Sequence, residues 1–105
     1  VFTQGELMAK VNLVSEKQFR QQVIDLLKLY KWRYYFTWNS KHSPAGFPDL
    51  VILRDDRLAF IELKSEKGKL TGEQSQWLQA LKETKLCEVY IWRPAQLEQI
   101  AKILE

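Results

Sequence analysis

Two hydrophobic rhythms alternate along the chain from residue 15 onward. Phe19, Val23, Leu26, Leu27 and Tyr30 fall on one helical stripe. Ser15 stands ahead of them as an N-cap with Gln18 three residues on, the pattern of a capping box. The period then shortens to two in "RYYFTW" (33–38), which predicts a strand rich in aromatics. Proline and glycine interrupt the pattern in "NSKHSPAGFP" (39–48), a loop. "DLVILR" (49–54) is nearly continuous apolar sequence, "DDR" (55–57) turns the chain, and 58–64 returns as a second buried strand. Another helix follows behind Thr71, with Trp77, Leu78 and Leu81 facing inward. "LCEVYIW" (86–92) predicts a further strand, and Pro94 opens a last helix whose stripe is Leu97, Ile100, Ile103 and Leu104.

The predicted order is α-β-β-β-α-β-α. Two strands are apolar on both faces, so the sheet needs helices on both sides. The expected fold is a small α/β sandwich. Residues 1–14 show no clean period and read as an N-terminal extension, leaving 15–105 as a single domain. Trp32, Tyr34, Phe36 and Trp38 alternate onto one face, where core or dimer packing is a commoner use of aromatics than stacking on bases.

One stretch breaks the apolar logic. In "LAFIELKSEKGKL" (58–70), a core-like strand runs directly into Glu62 and Lys64. Two residues apart on a strand, they share a face, roughly 7 Å from each other along the chain. Burying charge costs several kcal/mol unless it is paired or ligated. If 49–54 and 58–64 form a hairpin, Asp49 at the start of the first lies beside Glu62 and Lys64 at the end of the second. Pro48 makes that approach stiff. Glu16 extends the inner stripe of the first helix, and Gln74 sits on the inner face of the second. Each has an ordinary role as well: Asp49 as a turn residue, Glu16 as an acid favoured by the helix dipole, Gln74 as the return half of a capping box with Thr71.

Composition narrows the chemistry. Net charge is only +3, which by itself does not indicate nucleic acid, but Lys64, Lys67 and Lys69 cluster just after the odd carboxylate. Lys28, Lys31 and Arg33 suit the C-terminal end of a helix. The single cysteine, Cys87, excludes an intrachain disulfide and a cysteine-based zinc site, and it reads as inert filler within a strand. No apolar run reaches membrane-spanning length and no leader pattern is present, so the expectation is a soluble protein without a membrane partner. His42, the only histidine, lies in the loop before Gly46, where it is a plain loop residue or a phosphate contact.

Carboxylates held close repel unless a cation lies between them. Oxygen donors without His or Cys favour a hard ion, Mg²⁺ or Mn²⁺, which binds phosphate oxygens and suits phosphodiester hydrolysis.

At these residues, "GFPD" (46–49), "ELK" (62–64) and "TGEQ" (71–74) with Glu16 upstream, the sequence resembles the VRR-NUC (virus-type replication-repair nuclease) family of the PD-(D/E)xK superfamily. The resemblance covers roughly residues 15 to 92. It implies a restriction-endonuclease-like mixed sheet between helices. It also implies that Asp49 and Glu62 hold Mg²⁺ or Mn²⁺ with the backbone carbonyl of Leu63. Lys64 would be the catalytic lysine, Glu16 a further acidic ligand, direct or through water, and Gln74 a support of the site or a phosphate contact. Lys67 and Lys69, with Lys41 and His42, would meet DNA. Stand-alone members resemble homodimeric, structure-specific endonucleases acting on branched DNA in DNA repair, in the cytoplasm of bacterial or phage-infected cells. Three other readings share the residues: a sequence-specific restriction-type endonuclease, a non-catalytic DNA-binding or assembly module, and an interaction domain whose charged strand end is a solvated rim.

Overall fold

A computed structural model describes residue 3 and residues 14–37 and 42–105. Most of the N-terminal extension, Trp38 and Lys41 lie outside the described residues. The first helix, α1 (Glu16–Leu29), begins with the expected reciprocal cap. The Gln18 N–H donates to Ser15 Oγ at 3.0 Å, and the Ser15 N–H donates to Gln18 Oε1 at 2.9 Å. The helix buries Phe19, Val23 and Leu27, and Lys31, at φ 62, reverses the chain beyond its end.

Strand β1 (Arg33–Phe36) follows, then β2 (Leu50–Arg54) and β3 (Arg57–Leu63). The last two close a hairpin around Asp55–Asp56, with Asp55 at φ 55, a left-handed position that a short polar side chain tolerates. Pairing Leu50 with Ile61 and Ile52 with Ala59 sets all four on one face. That face is sealed by α1 and by the C-terminal helix α3 (Leu97–Leu104), whose Ile100 and Leu104 are fully buried. Each such side chain contributes about 1.5–3 kcal/mol relative to exposure. Helix α2 (Gly72–Glu83) carries the chain across to β4 (Glu88–Trp92), which pairs parallel to β3. The sheet is therefore mixed, in the order β1-β2-β3-β4.

The second face is covered only in part. Helix α2 buries Leu78 and sets Trp77 edge-on to Phe47, which in turn meets Phe60. Toward the hairpin, Leu53 remains 44% and Leu58 37% exposed. Helices on both faces are thus present, but one short helix does not span the sheet.

Several bounds differ from expectation. The last strand starts at Glu88, not Leu86, because α2 ends in a turn at Thr84 and Lys85, the latter at φ 58. Leu86 is exposed, and Cys87 lies in that bend rather than in a strand, its thiol 3.6 Å from the Leu81 carbonyl oxygen. Arg57 belongs to β3, and Asp49 stands just outside β2.

At the hairpin end, Trp32 is buried and donates from Nε1 to the Leu104 carbonyl oxygen at 2.9 Å. Arg54 donates to the carbonyl oxygens of Tyr30, Leu104 and Glu105, and Arg57 to that of Ile103. Both guanidiniums lie over the Trp32 ring. The otherwise unpaired carbonyls at the end of α3 are satisfied there by cations, as the helix dipole favours.

Candidate active site

The opposite end of the hairpin gathers the polar residues. Gly46, at φ 96, lets the loop pass so close to α2 that a Cβ there would meet the Glu73 backbone carbon at 2.5 Å. Pro48 is buried, and its carbonyl accepts from Thr37 Oγ1 at 2.6 Å. The Thr37 N–H donates to the Asp49 carbonyl oxygen at 2.8 Å. These contacts fix the Asp49 backbone beside the end of β3. The Leu63 N–H then donates to Asp49 Oδ2 at 3.0 Å.

Glu62 is 2% exposed. Its Oε2 accepts from Gln74 Nε2 at 3.2 Å and lies 3.9 Å from Lys64 Nζ. Its Oε1 is buried with no hydrogen-bond partner. Burial pushes the Glu62 carboxyl up to about 8, the neighbouring Asp49 carboxyl adds to the rise, and Lys64 opposes it. As carboxylates the two acids have no donor between them; with one proton between them, Asp49 raises Glu62 by a shared hydrogen bond and by its charge. Near neutral pH, a carboxyl in this setting keeps its proton unless a cation replaces it.

Glu16, Asp49, Glu62, Leu63, Lys64 and Gln74 all line one pocket of about 200 Å³, with Phe19 and Arg20 completing it. Gln74 serves both readings at once: Oε1 accepts the Thr71 N–H at 2.9 Å as a cap, while Nε2 holds Glu62. Lys67, Lys69 and His42 are exposed and lie outside the pocket lining.

The donor set fits a hard divalent ion. It offers carboxylate oxygens and no soft ligand, and it leaves one buried oxygen of Glu62 unsatisfied. Among the described residues, however, no group of three or more Asp, Glu, His or Cys side chains is close enough to hold a metal. Glu16 lines the same pocket as Asp49 and Glu62 but forms no cluster of three with them, and it stands at the rim as the exposed first residue of α1, where the dipole favours an acid.

Two arginines escaped the sequence reading. Arg20 stands one helical turn after Glu16, at the pocket's mouth, with its Cζ 5.3 Å from the centre of the Phe36 ring. Its spacing from Glu16 was the available signal. Arg93 donates from one nitrogen, Nη1, to the carbonyl oxygens of Ser65 at 2.7 Å and Gly68 at 2.6 Å. It pins the loop that leaves Lys64, and nothing local in the sequence marks that partnership.

The family model described as the VRR-NUC domain matches residues 3–101. No curated protein matches the chain. A solved structure titled as a VRR_NUC domain superimposes with a TM-score of 0.68 at 16% identity, covering 83% of this chain and 94% of that one. The Holliday junction resolvase Hjc from Archaeoglobus fulgidus superimposes with a TM-score of 0.57 at 19% identity, covering 73% of this chain and 66% of the resolvase. At these identities the two structures establish a common fold.

Proposed function

The chain belongs to the VRR-NUC family, and on that premise we propose that it is a divalent-metal-dependent endonuclease hydrolysing phosphodiester bonds in branched or junction DNA. The observation that carries this reading is the buried, unpartnered Oε1 of Glu62 beside Asp49 and Lys64 at the rim of the core. A structural carboxylate would not be buried with one oxygen idle, at a cost of about 1–3 kcal/mol.

Asp49 and Glu62, with the Leu63 carbonyl, would hold Mg²⁺ or Mn²⁺. Such an ion supplies Lewis-acid neutralisation of the charge that builds on the phosphoryl oxygens. The chain's own groups do the positioning. The Leu63 N–H and the Gln74 amide each tie down one carboxylate oxygen without adding charge that would compete for the cation. Lys64, only 16% exposed at its side chain, brings an ammonium to the place where the attacking water gives up its proton and the phosphate gathers charge. Arg20 adds a guanidinium at the mouth, suited to a phosphate oxygen. Water attacks phosphorus and gives its proton to solvent, one ester P–O bond breaks, and the leaving oxygen takes up a proton to become a hydroxyl.

Lys67 and Lys69 suit phosphates, which carry no sequence information, so the proposed basis for choosing DNA is its shape. The Hjc neighbour, titled a junction resolvase, agrees with a branched substrate. Paired cuts across a branch need two sites, which a homodimer of this chain supplies. The resemblance to stand-alone family members places the proposed work in the cytoplasm of a bacterial or phage-infected cell.

The test is a panel of labelled duplex, flap, bubble and four-way junction DNAs with Mg²⁺, Mn²⁺ or EDTA. Cutting at branches is expected with either ion, lost in EDTA and lost in Glu62→Ala that still unfolds cooperatively. Undiminished cutting by that variant would remove the mechanism, and equal cutting of plain duplex would remove the branch preference.

A further inference from the structure

Beside the carboxylate pocket lies a larger hollow of about 720 Å³, within the roughly 300–1,000 Å³ range of ligand sites. Gln74 lines both, so the two adjoin at the side chain that holds Glu62. Its aromatic walls are Tyr35, Phe47 and Trp77. Phe47 is wedged edge-on between Trp77, at 5.0 Å, and Phe60, at 5.9 Å, so that wall is preformed. Tyr35 is 67% exposed, on the sheet face that α2 leaves open. Gly46 clamps the loop wall against Glu73.

The described lining of this hollow is unlike that of a phosphate site. Among those residues none is Lys or Arg, and the one charged group is the Glu73 carboxylate, so they offer a phosphate no cation. A flat, uncharged ring with N–H donors on its edge fits both the aromatic walls and the acceptor. We propose that this hollow is a subsite for one unpaired nucleobase of the strand whose phosphate lies over Glu62. The ligand's identity rests on the nuclease reading, while the hollow's shape and charge do not. A base can enter only after leaving its stack, which costs least where the DNA is already unpaired. The subsite therefore supplies a reason to favour branches: it senses unpaired character next to the cut.

The test uses duplexes with a single-stranded tail of either polarity, each carrying one abasic residue moved position by position along the tail. Affinity is measured by fluorescence anisotropy with Ca²⁺ in place of Mg²⁺. At one tail position the abasic residue should weaken wild-type binding by about 5- to 100-fold, the worth of one stacked base. Tyr35→Ala and Trp77→Leu, checked by thermal unfolding, should shrink that penalty while binding the fully abasic tail as wild type does. Tyr35 is mostly solvated, so its variant retains the fold. A flat scan in the wild type, no binding of tailed DNA, or a penalty undiminished in both variants would overturn the subsite. Cutting of the tailed duplex despite a flat scan removes the subsite and leaves the nuclease. A position-specific penalty without cutting under any divalent ion does the reverse.

Discussion

Replacing Glu62 by glutamine keeps its size and its hydrogen bond with Gln74 but removes the ionisable proton. In the metal-free protein the carboxyl of Glu62 is raised from 4.5 to about 8. Below pH 4.5 folded and unfolded chains both hold the proton. Between 4.5 and 8 the unfolded chain has released it and the folded chain has not, so stability falls as pH rises, and the loss is complete above 8. At about 1.4 kcal/mol per pH unit, the loss is about 3 kcal/mol at pH 7 and about 5 kcal/mol above pH 8, as orders of magnitude. Glu62→Gln lacks this dependence. Urea unfolding followed by tryptophan fluorescence in EDTA, at pH 5, 7 and 8.5, measures it. The variant should match wild type near pH 5 and exceed it by about 3–5 kcal/mol at pH 8.5. Mg²⁺ should recover wild-type stability at pH 8.5, by about 2.7 kcal/mol at a hundred times its dissociation constant, and leave the variant unmoved. Equal slopes for the two proteins in EDTA, or a wild type more stable at pH 8.5, would show that Glu62 is not held as a proton-keeping carboxyl.

Two further outcomes bear on the surroundings of the site. Gly46→Ala combines a left-handed φ with a collision against the Glu73 backbone, and should cost at least about 1–3 kcal/mol in the same unfolding assay; a wild-type midpoint would refute the close approach. Arg20→Gln should cost no more than about 1 kcal/mol in unfolding, for the lost contact with the Phe36 ring, weaken DNA binding evenly across sequences and flatten the slope of log K against log salt by about 1. An unchanged slope would place Arg20 away from the phosphates.

Local rhythm made most of the fold legible. The capping boxes at Ser15 and Thr71 and the hairpin around Asp55–Asp56 are written in neighbouring residues, and both caps formed. The hairpin brings Asp49 to the end of β3, where the Leu63 N–H meets its carboxylate and Glu62 lines the same pocket. The start of β4 was misread because Leu86 and Cys87 are apolar, while the turn that precedes it uses Lys85 at positive φ rather than a glycine. Arg93 was illegible for another reason: its partners lie 25 to 28 residues away, and only the parallel pairing of β3 with β4 brings them together. Glu16 shows the limit of stripe arguments. The helical spacing aims it correctly at the pocket, but spacing carries no information on whether an exposed first-turn carboxylate reaches the ligand set.

The anchoring of α3 by Trp32, Arg54 and Arg57 has a consequence for how the molecule can change over time. The knot of indole, guanidiniums and helix-end carbonyls occupies one pole, and the idle oxygen of Glu62 the other, with the length of β2 between them, roughly 14 Å at about 3.4 Å per residue. The hold on α3 thus uses none of the candidate site's residues. Substitutions in the pocket lining can thereby accumulate without loosening the knot that anchors the C-terminal helix.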